Sequence, residues 1–79
     1  MTITDKEKEW ALRVSRFIKA ELKRAGVSYK ELARRLNEHG LQETEDSITS
    51  KLGRGTFAVT FFVATLSVIG LEGLNLSDL

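Results

Sequence analysis

Apolar side chains recur at helical spacing along the first third of the chain. Between residues 10 and 25 they return every three or four positions, which predicts a helix with one buried face. Thr4 and Glu7 are spaced to form a capping box at its start, and Gly26 is placed to end it. The buried stripe is expected to consist of Trp10, Val14, Phe17, Ile18, Leu22 and Ala25.

A second, shorter helix is predicted from about Tyr29 to Glu38, with Gly40 as its stop. Ser28 precedes this helix, and Glu31 follows three residues later, so the two residues can form another capping box. One face of the helix is apolar and is expected to join the core. That face consists of Leu32, Ala33 and Leu36.

The third predicted helix is mostly polar. It runs from about Glu45 to Leu52, after a Thr44 cap and before Gly53. Only Ile48 and Leu52 point toward a core, so the helix is held by one narrow edge and shows its other faces to solvent or to a partner. Those faces carry Asp46, Ser47, Thr49, Ser50 and Lys51.

The fourth predicted helix, Phe57–Ile69, starts after a Thr56 cap and is apolar around nearly its whole circumference. In so small a domain one helix can hardly be covered on every side. We therefore expect a homodimer that buries part of Phe57–Ile69 between subunits. Residues 71–79 are predicted to form a short extended segment or turn that closes over the core. The polar breaks in the fourth helix are Thr60, Thr65 and Ser67.

Composition favours a single folded domain covering residues 1–79. The chain contains 42% apolar and 29% charged residues, as an ordinary globular protein does. Cysteine is absent, which excludes disulfides and thiolate metal sites, and proline is absent as well. Because the periodic segments are all helical, the sequence predicts an all-α fold.

The chain lacks the pattern of a secretory signal or a membrane span. Its first ten residues mix acids with lysines and contain no apolar run before a small-residue cleavage site. The longest apolar stretch, Phe57–Ile69, is 13 residues long, whereas about 20 residues are needed to cross a bilayer. A cytoplasmic location without membrane contact is the resulting expectation.

The side chains needed for catalysis are missing from the sequence. His39 is the only histidine and is predicted to lie in a loop, while the nearby acids Glu43, Glu45 and Asp46 have no histidine partner at helical spacing. Residues 53–56, GRGT, faintly resemble a phosphate loop, but no strand precedes them and no lysine follows the second glycine. We interpret them as a helix stop and a new cap. The sequence therefore predicts no enzyme, no cofactor and no metal site.

Charge is nearly balanced over the whole chain. Twelve basic and eleven acidic side chains give a net charge of +1, so binding to a polyanion would depend on local clustering. One basic group lies on the first predicted helix and is interpreted first as a solvated surface, since such faces often carry lysine and arginine, with a binding role as the alternative. It consists of Arg13, Arg16, Lys19 and Lys23.

A second basic group suggests DNA binding. If the second and third helices pack as a helix-turn-helix, this group lies beside the polar edge of the third helix and can contact phosphates, while hydroxyl side chains reach base edges. Acids at 43, 45 and 46 oppose this interpretation because they repel phosphates, although a carboxylate can accept from cytosine N4. The predicted DNA-binding residues are Arg34, Arg35, Ser47, Thr49, Ser50, Lys51 and Arg54.

The runs YKELARRL and SITSKLGRGTF, followed by an apolar helix that ends VIG, resemble the Cro and phage-repressor type of helix-turn-helix domain, the XRE type. The chain looks more closely like a family of short bacterial proteins with no assigned function, itself similar to that superfamily. The resemblance covers about residues 27–70. Between Leu36 and Ile48 the chain has about five residues more than the compact motif, and extra loop length of this kind costs only about 0.6 kcal/mol per doubling.

The resemblance implies an all-α, lambda-repressor-like domain of four to five helices, with the helix-turn-helix at about residues 28–53. It implies a transcriptional regulator that binds double-stranded DNA, with Ser47, Thr49, Ser50 and Lys51 on the reading helix. The alternative is a protein-interaction module that keeps the helical scaffold without binding DNA. That module would dock a partner through the apolar fourth helix or the acidic patch.

Overall fold

The computed structural model describes residues 4–79, which form four α-helices, one 3-10 turn and no β-strand. The predicted all-α class is therefore confirmed for this part of the chain. Residues 1–3, part of the segment used to argue against a secretory signal, lie outside the described residues. The elements are α1, Asp5–Ala25; α2, Tyr29–Glu38; α3, Glu45–Arg54; α4, Val59–Val68; and η1, the 3-10 turn Leu76–Asp78.

Hydroxyl side chains cap the first three helices as the sequence predicts. Thr4 Oγ1 accepts from the Glu7 amide at 3.1 Å, and the Ser28 hydroxyl accepts from the amide three residues on at the same distance. At the start of α3 the bonding is reciprocal, because Thr44 and Ser47 each donate a backbone N–H to the hydroxyl of the other. Each cap satisfies an amide that has no partner within its helix.

The core is built where α2 packs against α3 and α4 and where α3 packs against α1. A buried hydrogen bond joins the last pair, since Ser15 Oγ donates to the Leu52 carbonyl at 2.6 Å. The third helix contributes only two buried side chains, in agreement with its predicted narrow apolar edge. The apolar side chains with almost no exposure are Ile18, Leu22, Leu32, Leu36, Ile48, Leu52 and Phe61.

The predicted stripe of α1 is wrong at its two ends. Trp10 is 57% exposed and Ala25 is exposed, whereas Ala11 and Ser15 are buried. The reason is that the N-terminal half of α1 meets the end of α3, and only small side chains fit at that contact. The side chains of α1 that face the core are therefore Ala11, Ser15, Ile18 and Leu22, and Phe17 is also buried.

Helix α3 does not stop at Gly53 as predicted but runs to Arg54. Its C-cap is Gly55, with φ +71° and its amide donating to the Lys51 carbonyl at 2.9 Å. A Cβ atom at Gly55 would lie 2.5 Å from the Ala11 carbonyl oxygen, but one at Gly53 would meet nothing within 4 Å. The end of α3 is thus decided by its contact with α1.

The fourth helix begins at Val59 after Ala58, two residues later than predicted, and it has no side-chain cap. Phe57 lies outside the helix, and its ring packs on the rings of Phe61 and Phe62, with centroid distances of 5.1 and 6.5 Å. One of the three predicted polar breaks is not on the surface, since Thr65 is completely buried.

Replacing Thr65 by valine is expected to raise the free energy of unfolding by about 1 kcal/mol. The Thr65 Oγ1 atom is buried and has no hydrogen-bond partner among residues 4–79, and valine has nearly the same shape without the hydroxyl. For a domain of this size the increase corresponds to about 4–8 °C in Tm. Thermal unfolding measures it. The exposed Thr60→Val serves as the control and should change the free energy by less than about 0.5 kcal/mol; a destabilised Thr65→Val would contradict the prediction.

The C-terminal segment closes over the core in part. Leu74 and Leu79 pack against the core cluster, while Leu76, at the start of η1, is largely exposed. The Asn75 side chain accepts from the Ser77 amide and caps this turn. Among the four helices that the structure describes, none has the length and apolar character needed to cross a membrane.

Candidate nucleic-acid interface

The side of α3 opposite its core contact is polar and exposed. Ile48 and Leu52 anchor the helix, and the side chains around them face solvent. A helix held along so narrow an edge presents most of its circumference to a partner. Its exposed residues are Glu45, Asp46, Thr49, Ser50, Gly53 and Arg54.

The connection between α2 and α3, residues 39–44, is braced by hydrogen bonds. The side-chain Nδ2 of Asn37 donates to the backbone carbonyls of Ala33 at 2.6 Å and Glu43 at 2.8 Å. The Leu41 amide donates back to the Leu36 carbonyl at 3.0 Å. These bonds hold a longer turn in one conformation, so the direction of α3 relative to α2 is defined.

Glu43 is buried and does not contribute a free negative charge to the surface of α3. Its carboxylate forms an ion pair with the Lys51 ammonium and accepts from Ser47 Oγ at 2.7 Å. The same ammonium lies 4.8 Å from the centre of the Phe61 ring. Glu43 and Lys51 therefore neutralise each other and tie the turn, α3 and α4 together. Their eight-residue separation is not a helical pairing distance, and sequence analysis missed the pair.

Two of the three hydroxyls predicted to read bases are engaged within α3. Ser47 Oγ takes part in the capping box and in the Glu43 contact, and Thr49 Oγ1 donates to the Glu45 carbonyl at 2.9 Å. Ser50 is exposed and makes no side-chain hydrogen bond within residues 4–79. Ser50 is therefore the hydroxyl best placed to meet an external partner.

The predicted phosphate contacts are distributed over different surfaces. The guanidinium of Arg34 forms ion pairs with Glu31 and Glu38 on the exposed side of α2. Arg35 also pairs with Glu31, and it donates to the Val68 carbonyl at 3.0 Å, which joins α2 to the end of α4. Arg54 is exposed at the end of α3 and has no ion-pair partner among the residues described. The structure therefore brings Thr49, Ser50 and Arg54 together on α3, with Arg35 directed toward α4.

Comparison with models of known protein families identifies the family of the chain. The profile of a domain of unknown function, DUF6471, matches residues 10–74, which is most of the chain. The chain belongs to this family. The match agrees with the predicted likeness to a family without an assigned function, while membership of the Cro and phage-repressor type stays a prediction. No curated protein and no solved structure matches the chain.

Acidic and histidine side chains of the DUF6471 domain do not converge on a metal site. Between residues 4 and 79 no three of them are grouped to hold an ion. His39 caps the C-terminal end of α2 in an exposed position, as expected for a loop histidine.

The ion pairs of α2 change the acidity of one carboxyl group in the DUF6471 domain. Hydrogen bonds from Arg34, then from Arg35, lower the pKa of Glu31 from 4.5 to about 2. A lowered pKa means that the charged form is favoured in the folded state. The contribution to stability is therefore present above about pH 4.5 and is lost as the pH falls through about 2.

Replacing Glu31 by glutamine is expected to flatten the loss of stability in acid. Between about pH 4.5 and pH 2 the wild type loses the contribution of the Glu31 ion pairs, which the variant lacks at every pH, while glutamine still supports the cap at Ser28. Urea midpoints at pH 7, 4, 3 and 2 measure the difference. Glu72→Gln removes an exposed acid without an ion pair in the described part of the chain and serves as the control. Parallel profiles for wild type and Glu31→Gln would disprove the role of Glu31.

A separate apolar surface of the DUF6471 domain lies on α4. Val59 is 71% exposed and Val63 is 59% exposed, one helical turn apart. Half-buried Phe62 lines the grooves on both sides of them, one toward Phe57 and the other toward Leu74. We call Val59, Val63 and Phe62 the α4 strip. Exposed apolar surface of this kind is typical of an interaction site.

Proposed function

We propose that the DUF6471 domain binds double-stranded DNA as a transcriptional regulator, with α2 and α3 acting as a helix-turn-helix and α3 lying in the major groove. The observation that carries the proposal is the shape of α3. It is anchored by Ile48 and Leu52 and exposes a polar surface of short side chains next to a braced turn. The major groove is wide enough to admit one α-helix presented in this way.

The chemistry of the exposed α3 surface supports contacts with bases. Ser50 can donate to and accept from base edges, and Thr49 Oγ1, which donates to the Glu45 carbonyl, can still accept. Glu45 and Asp46 occupy the first turn of α3, where the N-terminal residues of a reading helix meet bases. A carboxylate at this place accepts from cytosine N4, which makes cytosine the base that these acids would select.

The distribution of charge also supports the proposal. Glu43 is neutralised by Lys51, so one of the three acids that would repel DNA is removed from the surface. Arg54 stands at the far end of α3 and would contact a phosphate, and Arg34 would contact another from α2 by exchanging its present carboxylate partners. Phosphate contacts of this kind position the helix without selecting a sequence.

A homodimer through Phe57–Ile69 would complete the regulator. The α4 strip supplies exposed apolar side chains that a second copy can cover. Two copies of α3 related by a two-fold axis would then enter successive major grooves, about 34 Å apart. A Val63→Glu variant should remain monomeric in sedimentation experiments, whereas the wild type should show a dimer.

Binding to genomic DNA fragments at low and moderate salt tests the proposal. We expect affinity to fall steeply as salt rises, because phosphate contacts release counterions. Arg54→Gln should weaken binding about tenfold and lower the slope of log affinity against log salt by about 1. Lys23→Gln removes the same charge from the last turn of α1, outside the proposed interface, and should have little effect. Absence of binding by the wild type at low salt would reject the proposal.

The alternative function is protein interaction through the same scaffold. The α4 strip favours this function, because Val59 and Val63 are exposed apolar side chains, and exposed apolar surface is typical of protein interaction sites. Measuring the DNA affinity of the wild type and of Val63→Glu distinguishes the two functions. A DNA-binding dimer loses DNA affinity in Val63→Glu, whereas a protein-docking module shows no DNA affinity in either form.

A further inference from the structure

A groove with a volume of about 560 Å³ lies between α1 and η1, and three arginines line it. We call it the arginine groove. Phe17, which is almost fully buried, and Ala20 form its apolar part. The volume falls in the range of small-molecule sites, which is roughly 300–1,000 Å³. The lining residues are Arg13, Arg16, Phe17, Ala20, Glu21, Arg24, Asp78 and Leu79.

The arginines of the groove keep donors available. Arg13 and Arg16 form no ion pair with any residue between 4 and 79, and Arg24 pairs through one nitrogen with Glu21 at 2.7 Å. The guanidinium of Arg13 lies 4.8 Å from the centre of the Trp10 ring. A cation–π contact leaves the guanidinium without a counter-ion, so Arg13 can still bind an anionic ligand.

The arginines of the groove are not all paired with its acidic side chains. Three arginines line it together with the acidic side chains of Glu21 and Asp78, and Asp78 lies within ion-pair distance of no basic side chain in the described part of the chain. Two guanidinium groups without an ion pair, next to the apolar part of the groove, can bind a small anion.

We propose that the arginine groove binds a small phosphorylated ligand through Arg13, Arg16 and Arg24. A carboxylate offers two oxygens and saturates one guanidinium, whereas a phosphate group offers three or more and accepts from several arginines at once. The site does not depend on DNA binding. At 100° per residue, Ala20 and Arg13 lie on the side of α1 opposite Ala11 and Ser15, which face α3.

Titration with pyrophosphate and inorganic phosphate at constant ionic strength tests the proposal, with acetate as the carboxylate probe. Calorimetry should give a dissociation constant of about 1 mM or below for pyrophosphate and weaker binding for acetate. Binding by Arg13→Gln/Arg16→Gln should be at least tenfold weaker. The matched control Lys19→Gln/Lys23→Gln removes the same charge from exposed positions of α1 outside the groove and should stay within about twofold of wild type.

A third variant tests the electrostatics of the groove with a charge change of the opposite sign. Asp78→Asn removes the negative charge at the rim and should tighten pyrophosphate binding about two- to fivefold. Equal weakening in the arginine and lysine variants, or no binding of pyrophosphate by the wild type, would overturn the site. Competition with a short DNA duplex separates the two proposals. A duplex that displaces pyrophosphate would assign these arginines to a nucleic-acid surface and overturn the small-ligand site.

Discussion

Replacing Gly55 by alanine should lower the free energy of unfolding by about 2–5 kcal/mol. Gly55 has a φ of +71°, where an L-residue with a Cβ is strained by about 1–2 kcal/mol. The new Cβ would also lie 2.5 Å from the Ala11 carbonyl oxygen and 2.8 Å from the carbonyl carbon and Cβ of that residue. Because the obstacle is largely backbone, α1 and α3 must separate, which adds about 1–3 kcal/mol.

Two other glycines of the chain provide matched controls for Gly55→Ala. Gly26 caps α1 with nearly the same φ, +70°, but has open space around it, so Gly26→Ala should be destabilised by about 1 kcal/mol through strain alone. Gly53 lies inside α3 with no atom within 4 Å of an added Cβ, so Gly53→Ala should be stabilised by about 0.5–1 kcal/mol.

Urea unfolding should rank the stability of the wild type and the three variants. From most to least stable, the expected order is Gly53→Ala, wild type, Gly26→Ala, Gly55→Ala. A thermal scan should show a loss of about 10 °C or more for Gly55→Ala. Equal effects at Gly26 and Gly55 would mean that the end of α3 does not touch the backbone of α1 in solution.

Replacing Ile48 by alanine should lower the free energy of unfolding by about 2–5 kcal/mol. Ile48 is completely buried and is one of only two side chains that fix α3 to the core. Natural domains of about this length have a total stability of roughly 4–12 kcal/mol, so the loss is a large fraction. Amide exchange in α3 should accelerate more than exchange in the middle of α1, because α3 loses half of its anchor.

The exposed Ser50→Ala on the same helix is the control for Ile48→Ala and should stay within about 0.5 kcal/mol of the wild type. It also separates folding from function, since Ser50 lies on the proposed reading surface. A loss of DNA affinity in Ser50→Ala at unchanged stability would strengthen the proposed function. A stability change in Ile48→Ala no larger than that in Ser50→Ala would show that α3 is not anchored as described.

Sequence reasoning succeeded where the decisive bonds are local. Ser28 and Thr44 accept from amides three residues away, so their roles as caps are readable from spacing alone. The buried edge of α3 was likewise predicted, because Ile48 and Leu52 are four residues apart on one helical face. The predicted start of α4 is two residues early, since Ala58 and not Thr56 precedes the first turn of the helix.

Charged residues of the candidate site were harder to place from sequence. Lys51 was expected on the reading surface, but its ammonium reaches Glu43 and the Phe61 ring. Arg35 was expected among the phosphate contacts, and it bonds to the Val68 carbonyl 33 residues away. The partner of a long, flexible side chain depends on how the helices pack, and spacing along the chain does not specify that packing.

The sequence by itself determined the all-α class, the approximate positions of the four helices and three caps, because these depend on hydrogen bonds and apolar contacts within a few residues. Tertiary structure decided which glycine ends α3, which acid is neutralised and which arginines share a groove. Each of these depends on contacts that form when the elements pack, and the sequence pattern does not specify the distances in those contacts.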